Sequence, residues 1–153
     1  MSAKRTRALR AGVEGLERRE TPSSVNLASA GTAAVTFSHL ITNGQDVTTM
    51  ISGKSKGLGG SYTGELDVVY ALNNPPGGSG TGVITTSSGD TIDLKLKSET
   101  QTPHKQLEEM GTMVFSVTGG TGAYANATGH GVFTGNINIL NNFRFLLHGR
   151  VRT

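Results

Sequence analysis

From Ala33 to Arg152 apolar and polar residues alternate with a period of two, interrupted at short intervals by Gly, Asn, Asp and Pro. That is the pattern of half-buried strands joined by turns. The first predicted strand is Ala33 to Thr42, with Val35, Phe37, His39 and Ile41 on one face and Thr36, Ser38 and Thr42 on the other. Asn43-Gly44 is a hairpin turn signal. The second strand runs from Val47 to Lys54, and Gly57-Leu58-Gly59-Gly60 reads as a turn or bulge. The third, Tyr62 to Leu72, gathers Leu66, Val68, Tyr70 and Leu72 on one face. Asn73-Asn74-Pro75-Pro76-Gly77-Gly78 is the strongest breaker and is expected to be a long hairpin loop.

Thr81 to Thr86 forms the fourth predicted strand. Thr91 to Ser98 forms the fifth, with Ile92, Leu94 and Leu96 facing in and Asp93, Lys95 and Lys97 facing out. Glu99 to Glu109 is polar, contains Pro103, and is expected to be a loop with a helical turn near Lys105 to Glu109. Met113, Phe115 and Val117 alternate in a sixth strand, and Gly131 to Leu140 is the seventh. Asn141-Asn142 turns the chain into the eighth, where Phe143, Phe145, Leu147 and Val151 alternate with Arg144, Leu146, His148, Arg150 and Arg152.

Connections this short leave no room for crossover helices, so neighbouring strands pair antiparallel. A sheet of eight with one apolar face either splits into a sandwich or closes, and closure also removes its exposed edges. The expected fold is therefore all-β, an eight-stranded antiparallel up-and-down barrel over residues 25–153. At eight strands the interior is just wide enough to be filled by side chains or to hold one small ligand.

Residues 1–24 stand apart. They carry six basic against three acidic residues, whereas 25–153 carry eight of each. The chain's net charge of +3 thus belongs to this arm. A body without charge excess lacks the clustered positive field that nucleic-acid binding needs, so no nucleic-acid partner is expected. Leu9, Val13 and Leu16 follow helical spacing, so Arg7 to Arg19 suits a short helix ended by Pro22. No apolar run approaches the ~18 residues of a membrane span. The arm also lacks the apolar core of a secretory signal peptide. With no Cys, disulfides, thiolate metal ligands and a Cys nucleophile are excluded.

Val13-Glu14-Gly15-Leu16-Glu17-Arg18-Arg19-Glu20-Thr21-Pro22-Ser23 resembles the short N-terminal tag common on secreted and surface proteins of planctomycete bacteria. That resemblance implies export or surface sorting; read from its residues alone, the arm is a basic tail.

The segment Gly119-Gly120-Thr121-Gly122-Ala123-Tyr124-Ala125-Asn126-Ala127-Thr128-Gly129 separates the sixth and seventh strands. Gly120-x-Gly122-x-x-Ala125 follows a strand and matches the dinucleotide fingerprint in form. The fingerprint needs a helix opening at the turn and an acidic residue about 20 positions on. Asn126-Ala127-Thr128-Gly129 is poor helix material, and Asn138 to Asn142 occupy the acidic position. Backbone geometry is the better reading: Gly119, Gly120, Gly122 and Gly129 form a structural hinge, with Tyr124 and Ala127 packing on the barrel wall.

Phe115-x-Val117-Thr118-Gly119-Gly120-Thr121-Gly122-Ala123-Tyr124-Ala125-x-Ala127-x-Gly129, continued by Gly131-Val132-Phe133-Thr134-Gly135 and Phe143-Arg144-Phe145, resembles the signature of the allene oxide cyclase and dirigent-protein barrel superfamily. The resemblance implies an eight-stranded barrel, a homotrimer, and either cyclisation of a lipid-like substrate or a dirigent role. It transfers no activity. The plant cyclases use a Glu or Asn on the first strand and a Cys, and both are missing here.

Among the chemistry-bearing residues, His39 and Tyr70 lie on apolar faces, and with Phe115 and Phe145 they are the candidate lining of a ligand pocket. His39 is otherwise a solvated strand-end residue, and Tyr70 a core residue with its hydroxyl at the rim. His104, His130 and His148 lie on separate elements without carboxylates at ligand spacing, so no metal is expected. Arg144, Arg150 and Arg152 line a polar strand face. Neither Asp90 with Asp93 nor Glu65 with Asp67 resembles a glycosidase pair flanking a cleft. Asn126-Ala127-Thr128 is a glycosylation sequon, meaningful only in a eukaryotic secretory route.

The leading expectation is an exported, non-catalytic barrel that binds a small apolar molecule or serves as a surface module, without a cofactor. The alternative is an isomerase, cyclase or dirigent-like protein acting in the barrel cavity.

Overall fold

The computed structural model describes residues 23–71, 77–103, 108–138 and 143–153. The expected helix of the arm, the Asn141-Asn142 turn, Leu72 and residues 73–76 of the breaker lie outside them.

The described chain is almost entirely strand: β1 (Ser24–Asn26), β2 (Ser29–Ile41), β3 (Gly44–Ser55), β4 (Gly60–Ala71), β5 (Gly77–Thr86), β6 (Thr91–Pro103), β7 (Glu108–Gly120), β8 (Thr128–Asn138) and β9 (Phe143–Arg152). Strands β2 to β9 pair antiparallel in chain order, and β9 pairs back onto β2, with Ser29 opposite Leu147 and Ala33 opposite Phe143. This is the expected closed eight-stranded barrel. Strand β1 is an addition. It pairs with Arg150 to Arg152 of β9, just beyond the stretch that β2 covers, and the Leu27 N–H donates to Gly149 O at 2.9 Å to bridge the two.

Several boundaries differ from expectation. Gly77 and Gly78 belong to β5, where they pair with Ala71 and Tyr70. Most of the expected loop Glu99 to Glu109 is strand instead. β6 continues to Pro103 and β7 starts at Glu108, so the two form a long hairpin. Pro103 is tolerated because the described pairing of β6 with β5 ends at Lys97, which leaves the end of β6 with a single described neighbour, as on an edge strand.

The largest correction concerns the first expected strand. Val35 pairs with Thr49, but Phe37 pairs with Thr48, so Thr36 is an extra residue in a β-bulge. The Thr36 hydroxyl donates to Thr48 O at 3.3 Å. Because side chains alternate, one inserted residue reverses every position beyond it. Val35 shares the inward face, whereas Phe37 and His39 point outward, opposite Thr48 and Asp46.

The barrel interior follows a large-opposite-small rule. Inward Gly31, Gly53, Gly82 and Gly131 lie directly across from Phe145, Tyr62, Leu66 and Phe115. At each of these glycines a β-carbon would collide with the side chain opposite. An eight-stranded barrel is narrow, and pairing large with small residues is how its taper is filled. Phe115, Phe133 and Phe145 stack into one cluster, with ring centroids 5.1 and 5.8 Å apart. Ile84, Ile92, Leu94, Leu96, Leu147 and Val151 complete the core.

One polar pair lies part-buried beside this packing. The Tyr62 hydroxyl and Ser29 Oγ are 2.9 Å apart, beside the space that Gly53 leaves open. Tyr62→Phe and Ser29→Ala are each expected to cost about 1 kcal/mol, a fall in Tm of roughly 2–4 °C. The double variant should lose little more than either single one, which thermal melts of the three proteins would check.

Candidate functional site

The hinge sits at one end of the barrel. Its only helical piece is a single 3-10 turn, Gly122–Tyr124. Gly122 has φ +59°, a left-handed conformation that suits glycine, and the Asp90 carboxylate lies against it. Asp90 Oδ2 accepts from the Ala123 N–H at 3.3 Å, and the Thr121 hydroxyl accepts from the Thr91 N–H at 3.0 Å. The β5–β6 turn thereby clamps the hinge. Tyr124 and Ala127 are buried in the core. Gly119 and Gly129, with φ +152° and +155°, and Gly120 belong to the strands on either side. No α-helix opens here, so the turn lacks the N-terminus that would receive a pyrophosphate.

The four pocket candidates do not converge. Phe115 and Phe145 are buried members of the aromatic cluster. Tyr70 is half-buried against the core, opposite Gln45 and Gly78. His39 is exposed on the outer wall and stacks on Phe37, with centroids 6.2 Å apart. Among the described residues no group of three His, Asp or Glu could hold a metal, and no helix is long and apolar enough to cross a membrane.

Burial raises the pKa of all three tyrosines, Tyr62, Tyr70 and Tyr124, above the ordinary 10.0. Ser29 partly offsets this at Tyr62, and the Asp90 charge adds to it at Tyr124. A phenol whose folded pKa is raised keeps its stabilising contribution below the unfolded pKa and loses it as pH climbs through the folded value. Stability is therefore expected to fall only above about pH 10 on the tyrosines' account. Phenolate absorbance should appear together with unfolding, checked by following both in one alkaline titration.

A broad depression lies on the outside. It is an open groove of about 960 Å3 crossing β4 to β8. Val69, Lys95, Lys97, Val114, His130 and Val132 line it. Register explains their meeting. One row runs Asp67, Thr81, Lys95, Ser116, His130, Arg150 across β4 to β9. The next runs Val69, Ser79, Lys97, Val114, Val132, His148.

The same registers separate charge. The described side chains of β7 to β9 include His130, Arg144, His148, Arg150 and Arg152 and no carboxylate. Asp46, Glu65 and Asp67 lie on β3 and β4. A hydrogen bond to Asp67, then burial and the Asp67 charge, push the Asp46 carboxyl above the usual range, while His39 pulls the other way. Alternation already turned Lys95, Lys97 and Arg150 outward; their assembly into one surface needed the strand neighbours. The body is neutral in sum, and the separation is partial: Lys54 stands on β3, and β7 begins with Glu108 and Glu109.

No family model, characterised protein or solved structure matches this chain.

Proposed function

We propose that this protein is a non-catalytic, exported barrel that works as a surface module through its outer wall. The observation that carries the reading is the packed interior. Phe115, Phe133 and Phe145 occupy the space that a substrate would need, and glycines opposite the large residues let them fill it. Export is supported by the tag-like residues Val13 to Ser23. A cyclase or dirigent-like protein needs a mostly apolar cavity of roughly 300 Å3 or more with polar groups reaching it. Neither His39, on the outer wall, nor the buried phenylalanines meet that need.

The test is native mass spectrometry of the full chain recovered from its source and then exposed to fatty acids and phenolic compounds. The expected spectrum is that of bare chain. A retained molecule that Phe133→Trp expels would overturn the reading, because it would occupy the barrel itself.

A further inference from the structure

We infer that the open edge of β2, from Phe37 to Ile41, pairs with the same edge of a second copy of this chain to form a two-fold dimer. The inference is independent of what fills the barrel interior.

Strand lengths create the edge. β9 begins at Phe143, opposite Ala33, whereas β2 runs on to Ile41 with β3 alone beside it among the described residues. Beyond the Thr36 bulge the β2–β3 register is regular, so Phe37 to Ile41 is a run of strand with one side paired and one open. Along such an edge, alternate N–H and C=O groups point away from the sheet. Another strand answers all of them at once.

The side chains suit burial. Phe37, Leu40 and Ile41 are 52, 73 and 41% exposed. Phe37 and Ile41 share the outer face and Leu40 lies on the other, so the run is apolar on both. Met50, in the next row of β3, extends the outer patch.

A second long edge in the same barrel gives the contrast. β6 continues past Lys97, its last described pairing with β5, to Pro103. That run has a bulge at Glu99 and ends in a proline, which has no N–H to donate. A bulge, a charge and a proline protect an edge that stays in water. After Thr36 the β2 edge has none of them and carries Phe37, Leu40 and Ile41 instead.

Charge selects the occupant. Ala33 to Ile41 contains no Asp, Glu, Lys or Arg, so two copies meet without repulsion. Residues 1–22 carry six basic and three acidic residues and would bring charge onto an apolar run. His39 is the midpoint of the regular run. Antiparallel self-pairing about it sets Phe37 beside the partner's Ile41, twice by symmetry, on the outer face. Leu40 then lies beside the partner's Ser38 on the other face. His39 meets the partner's His39, and each has its own chain's Asp46 on its far side, so the two carboxylates stand three strands, roughly 14 Å, apart. Five residues a side bury less than the ~1,000 Å2 of a stable interface, so the dimer is a weak one, in the micromolar range.

The experiment is sedimentation equilibrium of the full chain over a range of concentrations. The wild type is expected to pass from monomer to dimer. Phe37→Lys and Ile41→Glu should each weaken the dimer about tenfold, and both should keep the wild-type Tm because the two side chains are exposed. Mixed together, these variants should associate more tightly than either alone, since the introduced cation and anion then face each other. Leu146→Lys, at a 49% exposed apolar position on β9, should change association less than about twofold. Four results would each overturn the dimer: a wild type that stays monomeric, a trimer, equal weakening by Leu146→Lys, or a mixture no more associated than its components. None of them touches the packed interior, which the native mass spectrum tests separately.

Discussion

Gly131→Ala is expected to destabilise the barrel by about 3 kcal/mol. Gly131 pairs with Phe115 on β7 and with Gly149 on β9. A β-carbon there would meet the Phe115 ring and the His148 carbonyl oxygen, and would stand 2.7 Å from Gly149 Cα. The ring can swing, but the β9 backbone cannot yield without loosening the β8–β9 ladder. In a chain of this size the loss corresponds to a Tm fall of roughly 6–12 °C.

Gly59→Ala is the contrasting case. Gly59 has φ +81° but nothing within 4 Å of an added β-carbon. Only the left-handed strain of about 1–2 kcal/mol applies there. Adding Phe115→Leu to Gly131→Ala should restore part of the loss, because it relieves the ring collision and leaves the backbone one. Urea melts of the four proteins would measure this. If Gly59→Ala proved the more damaging, the packing role of the interior glycines would be wrong.

Phe133→Ala should cost about 3–5 kcal/mol, a large share of the 5–15 kcal/mol that holds a typical domain together. Phe133 is the middle ring, in contact range of Phe115 on one side and Phe145 on the other. Its removal strands both neighbours against a void. Its direct cross-strand neighbours, Met113 on β7 and Leu147 on β9, could fill the space only by leaving their own packing. Phe133→Leu keeps most of the volume and should cost far less. A truncated protein that gained affinity for a small apolar molecule would show that the aromatic cluster stands where a cavity would otherwise open.

Both predictions depend on features that alternation alone could not supply. The spacing of Leu94 and Leu96 against Lys95 and Lys97 announced a two-faced strand. It could not say that Lys95 would stand in a row with His130 and Arg150, since that requires the registers of three further strand pairs. His39 shows the same limit in reverse. Its neighbours in sequence placed it on an apolar face, and one bulge residue, Thr36, turned it to solvent. The Gly-rich hinge was legible as a turn without the helix that the dinucleotide fingerprint needs. Its clamp by Asp90 and Thr91, some thirty positions earlier, was not.

The amino-acid sequence by itself determined the antiparallel all-β architecture, most of the strands and turns, and the absence of thiol chemistry. These follow from side-chain period and turn residues, which depend only on near neighbours along the backbone. The tertiary structure alone decided which glycine faces which ring, where the bulge reverses a strand, and which outward polar residues share a row across the barrel wall. All three are consequences of register between strands distant in sequence, and a shift of one residue exchanges the inside of a barrel for its outside.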